Sequence, residues 1–192
     1  MEKLDQASAK FNTLKIQGVE MSALIAQTGT LWQGANGKSA TWITDGSPVN
    51  AIEASADLKK LQPPKREIES FLILEDGTRV ALPFCGLTYR LPDRTGVVAI
   101  FEPGQYLKPD GTDYFPYPNN AAIFNADGSL RFQLVQEDWY RIGAIHSGSM
   151  PAKFDGKMGL LIAATPQDYP ELVYAVDPES PKLISTLQQI RY

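Results

Sequence analysis

From residue 67 onward, short apolar runs alternate with polar, glycine-bearing breaks, the pattern of strands and turns. Ser70–Leu74 (SFLIL) and Arg79–Leu82 (RVAL) flank Glu75-Asp76-Gly77-Thr78. An Asp-Gly pair between apolar runs predicts a tight hairpin, because both central residues of a type I′ turn need positive φ. Val97–Phe101 is a third strand, and Ala121–Phe124 and Leu130–Val135 flank a second such turn at Asn125-Ala126-Asp127-Gly128-Ser129. Ile142–His146, Met158–Ala164 and Leu172–Val176 follow, and Leu183–Ile190 reads as a strand or a short helix. Asp-Gly pairs recur at 45–46, 76–77, 110–111, 127–128 and 155–156 without a fixed period, so they punctuate hairpins and do not mark a repeat.

The first part of the chain has a different period. Leu4, Ala7, Phe11 and Leu14 stand three and four apart, which predicts one face of a helix over residues 3–16. Gly18 interrupts it, and Met21, Leu24 and Ile25 start a second, short one. Residues 29–48 are rich in Gly, Ser, Thr and Asn and read as a loop that folds Trp32 and Trp42 back onto the core. Ser47-Pro48 opens a third helix, which runs to about Leu61 before Pro63-Pro64 ends it. The expected class is therefore α+β: a mainly antiparallel sheet, curled into a sandwich or partial barrel, with N-terminal helices packed on it. Residues 1–66 form the helical and loop segment and 67–192 the β domain, together one compact unit.

Composition narrows the function classes. The 192 residues are 43% hydrophobic, enough for a core. The net charge of -4 argues against a nucleic-acid binder, which carries a basic face. The acidity lies in the second half: residues 1–100 hold 11 acids and 11 bases, residues 101–192 hold 11 and 7. That imbalance favours a basic partner. Cys85 is the only cysteine, so no internal disulfide forms. The start, Met1-Glu2-Lys3-Leu4-Asp5, lacks the features of a secretory signal. The longest apolar runs fall far short of the ~20 residues that span a bilayer. The expectation is a cytoplasmic protein, or a mature chain whose signal has been removed, without a membrane partner.

Candidate chemistry is sparse. Gly34-Ala35-Asn36-Gly37-Lys38-Ser39 resembles the end of a phosphate-binding loop, but Trp32 stands where the first glycine belongs and no helix pattern follows. With one histidine, His146, and one cysteine, the usual zinc sets cannot be built, and no Asp-Gly turn has calcium-loop spacing. No metal or cofactor is expected. A Cys85–His146 nucleophilic pair would have to meet in space, and Cys85 sits at an apolar strand end, the setting of a small buried hydrophobe. His146-Ser147-Gly148-Ser149 lacks a hydrolase elbow. Adjacent acids such as Glu75-Asp76 and Glu137-Asp138 point to opposite faces of a strand, so neither pair converges on one atom.

The aromatic stretch at 103–120, PGQYLKPDGTDYFPYPNN, is the best remaining candidate. Rings stiffened by proline give binding area at low entropy cost. The expected partner-binding residues are Tyr106, Tyr114, Phe115 and Tyr117, with Glu137, Asp138, Trp139 and Tyr140 further along. The competing reading is that these rings close the open end of the sheet.

Residues 116–135, PYPNNAAIFNADGSLRFQLV, combine a proline/asparagine loop, an apolar strand, N-x-D-G-S and an R-F-Q-L strand. This stretch resembles small bacterial immunity proteins, cytosolic antitoxins that neutralise toxins delivered between competing cells. The resemblance rests on Asn119, Asn120, Ile123, Asn125, Asp127, Gly128, Ser129, Arg131, Phe132 and Gln133. It implies a non-enzymatic protein that binds one toxin, a basic domain, through an acidic or aromatic surface. Two other classes stay open: a small-molecule-binding or hydrolytic enzyme with a cleft near His146 and Cys85, and a structural component of a phage or secretion assembly, suggested by the Gly/Ser/Thr-rich N-terminal segment.

Overall fold

The computed structural model describes residues 14–16, 19–21, 23–44, 56–136, 141–145, 158–163 and 171–190. Among the described residues, fourteen strands build one hairpin and three four-stranded sheets, all antiparallel. β1 (Leu14–Ile16) and β2 (Val19–Met21) form the hairpin. Sheet I has the order β4-β3-β5-β6, from β3 (Ile25–Gly34), β4 (Ser39–Thr44), β5 (Lys65–Leu74) and β6 (Arg79–Ala81). Sheet II is a meander of β7 (Thr88–Arg90), β8 (Gly96–Ile100), β9 (Ala121–Asn125) and β10 (Leu130–Gln133). Sheet III is a second meander, of β11 (Arg141–Ile145), β12 (Met158–Ala163), β13 (Glu171–Val176) and β14 (Ile184–Ile190).

The α+β expectation is overturned. The protein is nearly all β, and the only helical residues among those described are 56–59. Among the described residues no N-terminal helix packs on the sheet. Residues 14–16 and 19–21 are strands, and Ile25 begins β3; residues 1–13 and 45–55 lie outside the described residues. Spacing of three and four misled at 14–25 because so few apolar positions satisfy both periods. Residues 29–44, the described part of the 29–48 stretch expected as a loop, lie in two strands and the turn between them. Thr28, Thr30, Thr41, Thr44, Trp32 and Trp42 are β-branched or aromatic and fit a pleated surface. Gly29 also has a packing reason: a Cβ there would lie 2.3 Å from Cζ of Phe71, whose ring occupies that space. The division at 66/67 falls inside β5, whose partner is β3.

Sheet II is the middle layer. Val97, Ala99, Ala122 and Phe124 pack against Ile25, Leu72 and Leu74 of sheet I. The alternate positions Val98, Ala121 and Ile123 pack against Ile142, Tyr174 and Val176 of sheet III. A strand covered on both faces cannot alternate apolar and polar, so β8 and β9 read as the unbroken runs GVVAI and AAIFN. Each fully buried large side chain contributes roughly 1.5–3 kcal/mol.

The Asp-Gly turns at 76–77, 110–111 and 127–128 form, with a different turn type, and the pairs at 45–46 and 155–156 lie outside the described residues. In GANGK, LEDGT, KPDGT and NADGS (34–38, 74–78, 108–112 and 125–129), the first and fifth residues pair through N–H to C=O. The fourth, glycine, has φ of 72–84° and donates to the carbonyl of the first, while the preceding residues keep negative φ. This is a type I turn closed by a left-handed glycine, not type I′. The Asp or Asn side chain supplies the reason, accepting the amide two residues on at 2.8–3.2 Å. The turns at 75–77, 92–95 and 126–128 gather at one end of the stack, tied by Ile25 N to Arg94 O and Ala126 N to Thr95 O. The long connections 82–87 and 101–120 leave at the other end.

Candidate functional site

The 101–120 connection is a folded excursion. Glu102 O accepts from Gln105 N, Asp113 Oδ1 accepts from Gly104 N at 2.8 Å, and Tyr106 O accepts from Tyr114 N at 2.9 Å. A bridge between Leu107 and Asp113 and the KPDGT turn close its tip. Below it runs an aromatic column. Tyr106 stacks on Tyr114 at 4.5 Å, Phe101 on Phe115 at 5.1 Å, and Phe84 meets Phe101 edge-on at 4.9 Å.

Of the sequence-predicted residues, Phe115 is core, 7% exposed, and Tyr106 is half-buried against the same cluster. Tyr114 and Tyr117 reach the surface at 40% and 37% exposure. The Tyr117 hydroxyl donates to Glu102 Oε2, and Arg141 Nη1 donates back to Tyr117 Oη at 3.2 Å, with its guanidinium 5.8 Å from the ring centroid. Burial first, then the Glu102 contact, pushes the Tyr117 phenol up, and burial, then Tyr114, pushes Tyr106 up, so both remain neutral donors. Glu137, Asp138, Trp139 and Tyr140 lie outside the described residues, as does His146.

Beside this loop, the three sheets leave an open cleft of about 250 Å³. Glu67 comes from β5, Leu87 and Tyr89 from in and before β7, Ile100 from β8, Gly143 from β11, and Glu102 and Gln105 from the loop. Glu67 is half-buried, and loss of water pushes its carboxyl up. No described group bonds to its side chain. Leu87 is 45% exposed at the cleft and Leu107 47% at the loop tip. Sequence reasoning missed both leucines, although each stands beside Gly or Lys-Pro in a connection. It had no means of joining Glu67 to Glu102.

The residues that carry the immunity-protein resemblance are occupied internally. Asn120 is fully buried; its Nδ2 donates to Phe101 O and Ile142 O, and its Oδ1 accepts from Ile142 N, all at 2.9 Å. Arg131 spans sheets II and III, donating to Asn125 Oδ1, to Thr95 O and Oγ1, and to Pro178 O at 2.7–3.0 Å. Gln133 Nε2 donates to Asn119 O and Asn119 Oδ1 accepts from Gln136 N. Asp127, Gly128 and Ser129 make the turn, and Ile123 and Phe132 pack in the core. These residues hold the fold, while Tyr117 of the same stretch reaches the surface.

The remaining chemical candidates fare differently. GANGKS is the β3–β4 hairpin turn and is followed by a strand, so no helix N-terminus faces a phosphate. Burial first, then Glu67 and Glu69, pushes the Cys85 thiol up, which disfavours the thiolate a nucleophile needs. Among the described residues no group of three His, Cys, Asp or Glu side chains could hold a metal, and no helix is long and apolar enough to cross a membrane. Comparison with protein-family models, curated proteins and solved structures returned no match to this chain.

Proposed function

We propose that this protein is a non-enzymatic protein-binding module that contacts its partner with the 101–120 loop and the mouth of the adjoining cleft. The observation that carries the reading is the grouping there of exposed Leu87, Leu107, Tyr114 and Tyr117 on a base braced by stacked rings. Neighbouring exposed apolar side chains on a rigid support suit recognition. The cleft carboxylates and the acidic second half of the chain favour a basic partner. Neutralisation of a basic toxin domain, to which the resemblance over 116–135 points, is the specific case. A metabolite-binding or hydrolytic cleft has less support, since 250 Å³ lies under the roughly 300–1,000 Å³ of small-molecule pockets.

The test is affinity purification of the tagged protein from the cells that make it, followed by titration of the recovered partner. Tyr114→Ala, Tyr117→Ala and Leu107→Asp should each weaken binding by about tenfold or more while the fold melts as before. Unchanged binding in all three variants refutes the surface.

A further inference from the structure

We infer that the cleft between the three sheets is an anchor pocket for one arginine side chain of a protein partner, an assignment that rests on the protein-binding reading above. Size is the first argument: the cleft holds one long side chain more readily than a metabolite. Its chemistry is the second. Leu87, Tyr89 and Ile100 supply apolar walls and Glu67 and Glu102 supply carboxylates, which matches a side chain with an apolar stem and a cationic head.

The third argument is that Glu67 is incomplete. It is half-buried on β5 and no described side chain or amide bonds to its carboxylate, whereas Glu102 already receives the Tyr117 hydroxyl and lies 3.7 Å from Arg141 Nη1. Removing water from a carboxylate without giving it a partner is costly, so a cation entering the cleft gains most at Glu67. The rim sets a local precedent, since Tyr117 and Glu102 together hold the guanidinium of Arg141. A bidentate donor that also packs flat on apolar walls is arginine and not lysine.

The test uses the full chain, isotopically labelled, titrated with N-acetyl-arginine methylamide, and with the citrulline and lysine analogues as neutral and ammonium controls. The arginine analogue should give saturable amide shifts at Glu67, Leu87, Tyr89 and Gly143. Glu67→Gln, which keeps the shape and removes the charge, should weaken it about tenfold or more, the worth of one charge-assisted hydrogen bond. Equal binding of citrulline, equal binding of lysine, shifts elsewhere or no shifts overturn the assignment. The two readings fail separately: absence of the arginine effect sinks the pocket alone, while unaltered partner binding by the Tyr114, Tyr117 and Leu107 variants sinks the wider surface.

Discussion

Asn120 is the side chain whose removal should cost this fold most for its size. It is 0% exposed and clasps sheet II to sheet III through three hydrogen bonds, two given by Nδ2 and one accepted by Oδ1. Asn120→Ala deletes all three and strands the Ile142 amide and carbonyl and the Phe101 carbonyl. A buried backbone group left without its partner costs about 1–3 kcal/mol. A water entering the vacated space recovers part of that, so the net loss should be about 3–5 kcal/mol. With a urea slope of about 2 kcal/mol/M, the midpoint falls by roughly 2 M. Asn120→Asp is the control for shape: it fills the same volume but sets a carboxylate against two carbonyl oxygens, so at pH 7 it should cost at least as much as alanine. The assay is equilibrium urea unfolding followed by tryptophan fluorescence and circular dichroism. A loss under about 1 kcal/mol for either variant would refute the clasp.

Three further outcomes follow from local geometry. Gly29→Ala should destabilise by about 1–3 kcal/mol, because its Cβ meets the Phe71 ring at 2.3 Å; in a thermal-melt double-mutant cycle, Phe71→Leu should recover part of that loss, and strict additivity would refute the contact. Arg94, at φ 61°, occupies the left-handed position that glycine takes in the sister turns; Arg94→Gly should be within about 1 kcal/mol of neutral, since relief of strain offsets added chain entropy and a lost surface ion pair. Gly128→Ala should instead cost more, its Cβ meeting Ala81 O at 2.9 Å, and equal effects in denaturant titrations would break the argument. Asp76 and Asp110 are held below the ordinary 3.8, Asp76 by the Thr78 amide, then its hydroxyl, and Asp110 by the Thr112 hydroxyl, then its amide. Depressed folded values mean stability present above pH 4 and lost as pH falls through them; Asp76→Asn with Asp110→Asn should flatten that acid limb in pH-dependent melts, and an unchanged limb would contradict it.

How much the sequence told depends on whether each element's signal was local. The hairpins at 74–78 and 125–129 were legible because the turn chemistry lies within five residues, Asp accepting the amide two positions on while glycine takes positive φ. Even the turn type was misjudged, since Asp-Gly fits both a primed turn and a type I turn ended by glycine, and the Asp–amide bond selects the second. Tyr114 and Tyr117 were found as exposed rings. Phe115, from the same stretch with the same composition, lies in the core, because a folded loop sends neighbouring side chains in opposite directions.

By itself the sequence determined the strand pattern after residue 67, the positions of the turns at 74–78 and 125–129, and the acidic balance. Tertiary structure decided the rest. Residues 25–34 and 39–44 are strands because β3 pairs with β5 and buries Ile25, Thr28 and Thr30 while β4 pairs with β3, which no window of polar sequence reveals. Sheet II is the middle layer because both faces of GVVAI and AAIFN find apolar partners, in sheet I and in sheet III. The cleft exists because three sheets bring Glu67, Tyr89, Glu102 and Gly143 to one place. Contacts of that range are fixed by packing and not by spacing along the chain.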